Sequence, residues 1–259
     1  MKRIIRMIMV MMIVTLPVLS ASSQLAAEIM ELVASSQKHA SSAMELRMNL
    51  IDSRGEVRQR TLQTLSSSEN DVTKTITVFL SPASVKNTRF LTIENDSAAD
   101  EQYIYLPSLA KVKRIAATER SGSFMGSDFS YADMASTTYD TSEATHSIIG
   151  TDTIEGIDCT IIESIPNISG DYGKTISWVD TERSVVVKVE FYAKDRSSLV
   201  KTLVCSRFEL IDGKTVARSM VMTVADQSHS TAVEIMQIKL NIPIRNEYFT
   251  VSFLETGRL

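Results

Sequence analysis

Apolar and polar side chains alternate along most of the chain from residue 44 onward. Between Met44 and Leu50, Met and Leu side chains occupy every second position, with Glu, Arg and Asn between them. This period of two is typical of a β-strand with one buried and one wet face. The same pattern predicts further strands at 56–65, 73–80, 89–94, 102–106, 111–117, 147–153, 159–164, 175–179, 185–192, 199–211, 217–225 and 232–240.

Before the strands, residues 24–38 predict one short amphipathic helix. Its apolar side chains recur at helical spacing on one face, at Leu25, Ile29, Leu32 and Val33. Turn residues such as Asp212-Gly213 join many of the strands, which predicts sequential antiparallel pairing. Because exposed strand edges invite aggregation, so many strands must curl or close. The predicted fold is mainly β: an incomplete, strongly bent antiparallel barrel wrapped around the N-terminal helix, in one domain over residues 24–259.

The first 23 residues have the organisation of a secretory signal peptide. Three basic residues, Lys2, Arg3 and Arg6, come first. An apolar run from Met7 to Leu19 follows and ends in small residues. This run is shorter than the roughly 20 residues of a membrane-spanning helix, and an uncleaved anchor is the alternative. The small residues after Leu19 are the expected cleavage site. Since no cysteine lies near them, we expect an exported protein that is not lipid-anchored.

Charge and motifs exclude several function classes. Without the first 23 residues, 24 basic residues stand against 31 acidic ones, a formal charge of −7, which disfavours nucleic-acid binding. His39, His146 and His229 have no metal-ligand spacing. The chain also lacks a Gly-x-Ser-x-Gly elbow, a phosphate-cradling glycine loop and a dinucleotide fingerprint. We therefore predict no catalytic residue, metal or cofactor, and no enzyme.

One long connection interrupts the strands, from Thr118 to Met134 with the sequence TERSGSFMGSDFSYADM. Loops of this length are uncommon in compact domains and are usually functional or disordered. Large apolar side chains argue against disorder, and they stand at Phe124, Met125, Phe129, Tyr131 and Met134. They predict either a lid over an apolar cavity or a local minicore that clamps the connection.

Around this loop the sequence resembles a known family. The runs YLPSLAKVKRI at 105–115 and SGSFMGSDFSYADM at 121–134 closely resemble the signature of the LolA-like outer-membrane lipoprotein-sorting family. The segment KTISWVDTERSVVVKVEFYAKD at 174–195 and the ending at 249–254 are also similar to it. Two features depart from the family pattern: Ile104 stands where a tryptophan is common, and the lipoprotein cysteine of some relatives is absent.

The resemblance implies a LolA/LolB-like half-barrel whose hydrophobic cavity receives acyl chains in the periplasm of a didermal bacterium. It further implies that the protein acts together with inner-membrane transporters of the resistance-nodulation-division (RND) type, as some relatives do. The missing cysteine implies a shuttling rather than an anchored protein. A carrier needs adaptable apolar walls and a movable cover, and methionine suits walls that repack around variable chains.

We expect the inward rows of several strands to line such a cavity together with the loop residues. The strand candidates are Leu46, Met48, Ile76, Val78, Trp178, Val187 and Phe191. An apolar row of period two is also the ordinary pattern of a core strand, so core packing is the alternative for each of them.

Two further features have open interpretations. Basic residues precede the loop at Lys111, Lys113, Arg114 and Arg120. They form either a patch for anionic head groups or an acidic partner, or a solvated edge strand. The two cysteines, Cys159 and Cys205, either form a disulfide in an oxidising compartment or are two small core residues.

The leading hypothesis from the sequence is a periplasmic carrier that binds lipid or the acyl chains of lipoproteins for transfer between membranes. The loop at 118–134 would be its gate, and its contact with membrane surfaces would be transient. The alternative is a non-catalytic accessory protein docked on an RND-type inner-membrane transporter.

Overall fold

The computed structural model of the protein describes residues 18–95, 100–135, 144–168 and 170–258. Helix α1 spans Val18–Gln37, α2 spans Tyr131–Ala135 and α3 spans Val251–Thr256. The strands are β1 Ser41–Ile51, β2 Val57–Glu69, β3 Val72–Ser81, β4 Arg89–Asn95, β5 Glu101–Leu106, β6 Lys111–Arg114, β7 Ala144–Ile154, β8 Ile157–Pro166, β9 Lys174–Asp180, β10 Val185–Tyr192, β11 Leu199–Ile211, β12 Lys214–Val224 and β13 Ser230–Leu240. The mainly β prediction is confirmed, and every predicted strand has an observed counterpart. Most of the predicted signal peptide, residues 1–17, lies outside the described residues.

All these strands pair antiparallel in one curved, open sheet. Its order is β6-β5-β4-β3-β2-β1-β13-β12-β11-β10-β9-β8-β7. The first and last strands of the chain pair with each other near the middle of the sheet, and β6 and β7 form its two edges. The connection that contains the 118–134 loop therefore runs from one edge of the sheet to the other. This arrangement is the predicted incomplete antiparallel barrel.

Both faces of the sheet bury side chains, and neighbouring residues of a strand point to opposite faces. Phe90 on β4 packs in one apolar cluster with Phe79, whereas its neighbour Leu91 packs in another cluster with Ile76. The face of Phe79 and Phe90 is called the inner face, because α1 and the loop pack on it. The opposite face is called the outer face.

Helix α1 lies on the inner face, with a buried stripe that only partly matches the predicted one. Ala26, Met30 and Val33 are buried against the sheet. Leu25 and Leu32, which were predicted to be buried, are 50% and 59% exposed. The predicted face is thus right for Val33 and Ile29, which pack on the sheet, and wrong for Leu25 and Leu32, whose places are taken by Ala26 and Met30.

A C-terminal segment covers the outer face of β3 to β6. Phe249 and Leu254 pack there on Ile76. The Nε of Arg89 donates a hydrogen bond to the carbonyl oxygen of Leu254 at 2.6 Å, and its guanidinium carbon lies 4.3 Å from the centre of the Tyr105 ring. The segment is therefore held by both apolar packing and a buried cation.

Candidate functional site

An interior cavity of about 580 Å³ lies between α1 and the sheet. One part of its wall is apolar and comes from α1 and strands β10, β12 and β13: Val33, Val185, Val186, Val216, Met220 and Ile235. Another part comes from β1, β2 and β3 and carries hydroxyl groups: Ser42, Thr64, Ser66, Ser68, Thr73 and Thr75. The volume lies in the range of about 300–1,000 Å³ that is usual for small-molecule sites.

The charged lining residues stand at the mouth of this cavity. Lys38 follows the end of α1, and Glu69 and Asp71 flank the turn between β2 and β3. All three side chains are exposed or half-exposed to solvent. The mouth therefore carries two carboxylates against one ammonium group.

A thiol also reaches the cavity, from Cys205 on β11. Burial raises the pKa of Cys205 to about 12, so the thiol is neutral at physiological pH. At this position the cavity wall therefore carries a small, uncharged and apolar side chain.

The two cysteines are free, so the possible disulfide between Cys159 and Cys205 is not formed in this structure. Strands β9 and β10 lie between β8, which carries Cys159, and β11. Three strand spacings of about 4.8 Å separate such positions along the sheet, whereas a disulfide joins Cα atoms less than about 7 Å apart. Cys159 instead packs with Trp178 on the outer face.

The core of the predicted lid, Phe124 to Phe129, folds into a closed turn. The backbone N–H of Phe124 donates to the carbonyl oxygen of Phe129 at 2.7 Å, and the Ser127 hydroxyl donates to the carbonyl oxygen of Phe124 at 2.7 Å. Met125 and Gly126 take positive φ angles of 54° and 75° at the tip of the turn. Glycine at the second of these positions accommodates the left-handed backbone without a Cβ.

This turn inserts its aromatic side chains into the barrel. The Phe124 ring is fully buried, and its centre lies 5.0 Å from that of Phe90 and 5.6 Å from that of Tyr131. Phe129 is buried in the same cluster, and Met125, Tyr131 and Met134 are partly buried against it. The five loop candidates are thus brought together as a plug. None of them is among the lining residues of the 580 Å³ cavity.

Polar contacts fix the plug from strands on different parts of the barrel. Arg60 on β2 donates from Nη1 to the carbonyl oxygen of Met125 at 2.8 Å, and burial lowers the pKa of its guanidinium. Lys201 on β11 forms an ion pair with Asp133 in which both side chains are less than 10% exposed. The Tyr172 hydroxyl donates to the same carboxylate at 3.0 Å.

A second cleft of about 850 Å³ lies beside the plug. Its lining includes Asp128, Phe129, Tyr172 and Lys201. The Thr231 hydroxyl holds Asp128 there by donating to its carboxylate at 2.6 Å and accepting from its backbone N–H at 3.0 Å. These groups bond to one another and thereby fasten the loop to β11 and β13.

The strand candidates divide between the two faces. Leu46, Met48 and Phe191 lie on the inner face, next to the plug. Ile76 and Val78 lie on the outer face under the C-terminal segment. The expectation that this second pair points inward is wrong, because β3 is covered on both faces and its inner row is formed by Thr75, Thr77 and Phe79.

Trp178 and Val187 also lie on the outer face, where they pack with Cys159. Their predicted inward orientation is wrong for two reasons. On β9 the neighbouring Val179 takes the inner position, so the inner row of that strand is Thr175, Ser177 and Val179, and its largest apolar side chain faces outward. On β10 a bulge between Val186 and Lys188 turns Val187 outward.

The basic residues at the sheet edge are largely engaged in ion pairs. Lys113 binds Glu119 at 2.6 Å and Arg114 binds Glu101 at 3.2 Å. Arg120 donates to the backbone carbonyl of Asp100. Lys111 is exposed.

Sequence reasoning missed the hydroxyl row and the residues that fix the plug. Serine and threonine alternate with apolar residues on β2 and β3, which is also the pattern of a wet face. Arg60 shares its strand parity with Leu62, and this parity was the available signal that the arginine points inward.

Neither a metal nor a membrane span emerges from the geometry. Within the described ranges, no group of three or more His, Cys, Asp or Glu side chains is placed to hold a metal ion. No helix in the same ranges is long and apolar enough to cross a membrane.

Comparison with known proteins places the chain in a family. Residues 71–256 match a family model that carries the description "Uncharacterized protein". A putative outer membrane lipoprotein-sorting protein domain from Vibrio parahaemolyticus is 27% identical, with a TM-score of 0.84 over 90% of this chain and 99% of that one. The chain belongs to the family of this model, and its fold is LolA-like.

Two further solved structures are similar to this LolA-like protein. A DUF1329 family protein from Desulfovibrio piger is 25% identical, with a TM-score of 0.85 over 90% of this chain and 99% of that one. A LolA superfamily protein from Nitrosomonas europaea is 18% identical and shares the fold, with a TM-score of 0.71 over 88% and 98% of the two chains. No curated protein matches the chain.

Proposed function

We propose that the protein is a periplasmic carrier that holds lipid, or the acyl chains of lipoproteins, for transfer between membranes. The observation that carries the proposal is the interior cavity of about 580 Å³ with Val33, Met220 and Ile235 in its wall. The LolA-like fold supports it, because the similar domain from Vibrio parahaemolyticus is described as lipoprotein-sorting.

The energetics of acyl chains explain why such a cavity is needed. Burying a methylene group is worth about 0.8 kcal/mol, so a sixteen-carbon chain in water costs roughly 12 kcal/mol. A carrier that encloses the chain removes most of this cost during transfer. Such a carrier needs no catalytic group.

The plug is proposed as the movable cover of this carrier. Its side chains Phe124 and Phe129 fill the barrel along the second half of β1, next to Met48 and Leu50, while the cavity is lined by the first half, at Ser42 and Met44. Withdrawal of the plug would extend the cavity along the barrel and lengthen the space for an acyl chain.

An adaptor docked on a transporter is not favoured by any observation. Such docking would use the basic edge or the loop. Lys113, Arg114 and Arg120 at that edge already bind acidic residues or a carbonyl of the same chain. The loop's apolar side chains are directed into the barrel.

Two neighbouring residues of β11 give a matched test. Cys205 lines the cavity, whereas Val204 is 37% exposed on the opposite face. We expect Cys205→Phe to fill the cavity and weaken uptake of a fluorescent fatty-acyl ester by at least about tenfold, as the loss of a few buried methylene contacts would. Val204→Phe should leave uptake unchanged. Binding titrations, with circular dichroism to verify folding, measure both.

Equal uptake by the wild type and a folded Cys205→Phe variant would contradict the proposal, because the ester would then bind somewhere other than the cavity. Absence of uptake by the wild type would contradict it as well.

A further inference from the structure

We infer that the cavity selects an amphiphile whose head group is uncharged and rich in oxygen acceptors, such as a glyceryl ester of a fatty acid. This inference rests on the proposed carrier function and specifies its cargo. It comes from the hydroxyl groups of β2 and β3, which an acyl chain alone would leave without use.

The hydroxyl groups form three successive cross-strand pairs on the inner face. Thr64 lies opposite Thr77, Ser66 opposite Thr75 and Ser68 opposite Thr73 in the register of β2 and β3. The oxygen atoms of the three pairs are 3.1 Å, 3.0 Å and 2.9 Å apart. All of these side chains except Thr77 line the cavity, so the pairs make a ladder that runs along the wall towards its mouth.

This ladder has hydrogen-bonding capacity to spare. A hydroxyl group donates one hydrogen bond and accepts up to two. In each pair one hydroxyl donates to the other, so the second hydroxyl keeps its own O–H. Oxygen atoms of a ligand, as in an ester or an alcohol, are the partners that such donors suit.

Ser42 adds an independent observation at the same site. Its side chain lines the cavity and is fully buried. Its hydroxyl oxygen has no hydrogen-bond partner within the described part of the chain. Buried polar groups in native proteins nearly always have a partner, so a ligand oxygen at this position would complete the wall.

The charges around the cavity favour a neutral head group. Lys38 at the mouth is outnumbered by the carboxylates of Glu69 and Asp71. No arginine is present among the lining residues, although arginine is the usual partner of phosphate and carboxylate groups. The imidazole of His39, which also lines the cavity, is held by the carbonyl oxygen of Gln37 at 2.8 Å. An anionic head group would therefore meet two carboxylates and one ammonium group at the mouth and no lysine or arginine on the inner wall.

Three ligands with the same eighteen-carbon length separate head group from chain: 1-monooleoylglycerol, oleate at pH 8 and 1-octadecene. Their affinities are measured by displacement of the fluorescent ester from the full chain. We expect monooleoylglycerol to bind at least about tenfold more tightly than either of the others, as two or more good hydrogen bonds would allow.

Two pairs of substitutions then test the wall itself. Thr64→Val with Thr75→Val removes two cavity hydroxyls at constant shape, and we expect it to weaken monooleoylglycerol binding by about tenfold while octadecene binding stays the same. The control is Thr61→Val with Thr202→Val. Thr61 on β2 and Thr202 on β11 alternate with inward-facing neighbours, so both point to the outer face, and neither lines the cavity. It should change neither affinity.

The outcomes distinguish this inference from the carrier proposal. Equal binding of the three ligands, or an unchanged affinity in the Thr64→Val, Thr75→Val variant, would overturn the neutral-head inference and leave the carrier standing. Tightest binding of oleate would also overturn it. If none of the ligands binds the wild type, the carrier proposal itself fails.

Discussion

Lys201 and Asp133 form the most deeply buried ion pair between the loop and the sheet. Their side chains are 6% and 9% exposed, and the Lys201 ammonium also lies 5.2 Å and 5.4 Å from the ring centres of Tyr172 and Phe191. The Asp133 carboxylate further accepts from the backbone N–H of Ser130 at 2.6 Å. One carboxylate therefore joins the loop to β11 and also caps α2.

Replacing Lys201 by Met should destabilise the protein strongly, by about 3–5 kcal/mol, because Asp133 is left as a buried charge without its partner. The plug should also open more often. Urea unfolding measures the first effect, and hydrogen exchange of the backbone amides at 124–134 measures the second.

The matched control for this change is Arg114→Met at the sheet edge. Arg114 and Glu101 form an ion pair whose side chains are 62% and 40% exposed. Solvent screens such a pair, so we expect a loss of less than about 1 kcal/mol. Similar losses in the two variants would contradict the role given to Lys201.

At the scale of elements, the positions of the strands along the chain could be predicted from sequence. Which residues of a strand face the inside of the barrel could not be predicted for several strands. The period of two locates β1 and β3 correctly, because it depends only on local alternation. It fails to orient Ile76 and Val78, since their burial results from Phe249 and Leu254, more than 160 residues later in the chain. The bulge at Val187 likewise has no signal in a uniform run of valines.

The 118–134 loop could also be predicted only in part. Its length and its aromatic residues predict either a lid over a cavity or a local minicore, and its internal packing agrees with the second. That it inserts between Phe79 and Phe90 depends on the closure of the sheet around it. No local pattern could report this contact.

The C-terminal segment should contribute to stability as a full element of the core. Leu254 is fully buried on the outer face, whereas Val251 in the same helix is 41% exposed. We expect Leu254→Ala to lower the free energy of unfolding by about 2–5 kcal/mol, which is the range for buried leucines. Urea unfolding at 25 °C measures the change.

Val251→Ala is the control for that prediction, with an expected change within about 0.5 kcal/mol, as for most exposed positions. A loss below 1 kcal/mol in Leu254→Ala would mean that α3 is not an integral part of the fold.

For the whole molecule, the topology explains why a plug and a cavity coexist. The first and last strands, β1 and β13, pair in the middle of the sheet, and the sheet stays open between its two edges, β6 and β7. The connection across that opening supplies the plug, and α1 covers another part of the inner face. The space left between helix, sheet and plug is the cavity, and its mixed apolar and hydroxyl wall distinguishes it from an ordinary core.

The most direct test of the carrier account is mass spectrometry of the protein purified from a bacterial periplasm, first native and then denaturing with lipid extraction. The account predicts an acylated molecule bound at one per chain, retained in Val204→Phe and lost in Cys205→Phe. A wild-type chain that carries no such molecule, and that takes up no fluorescent fatty-acyl ester afterwards, would contradict it.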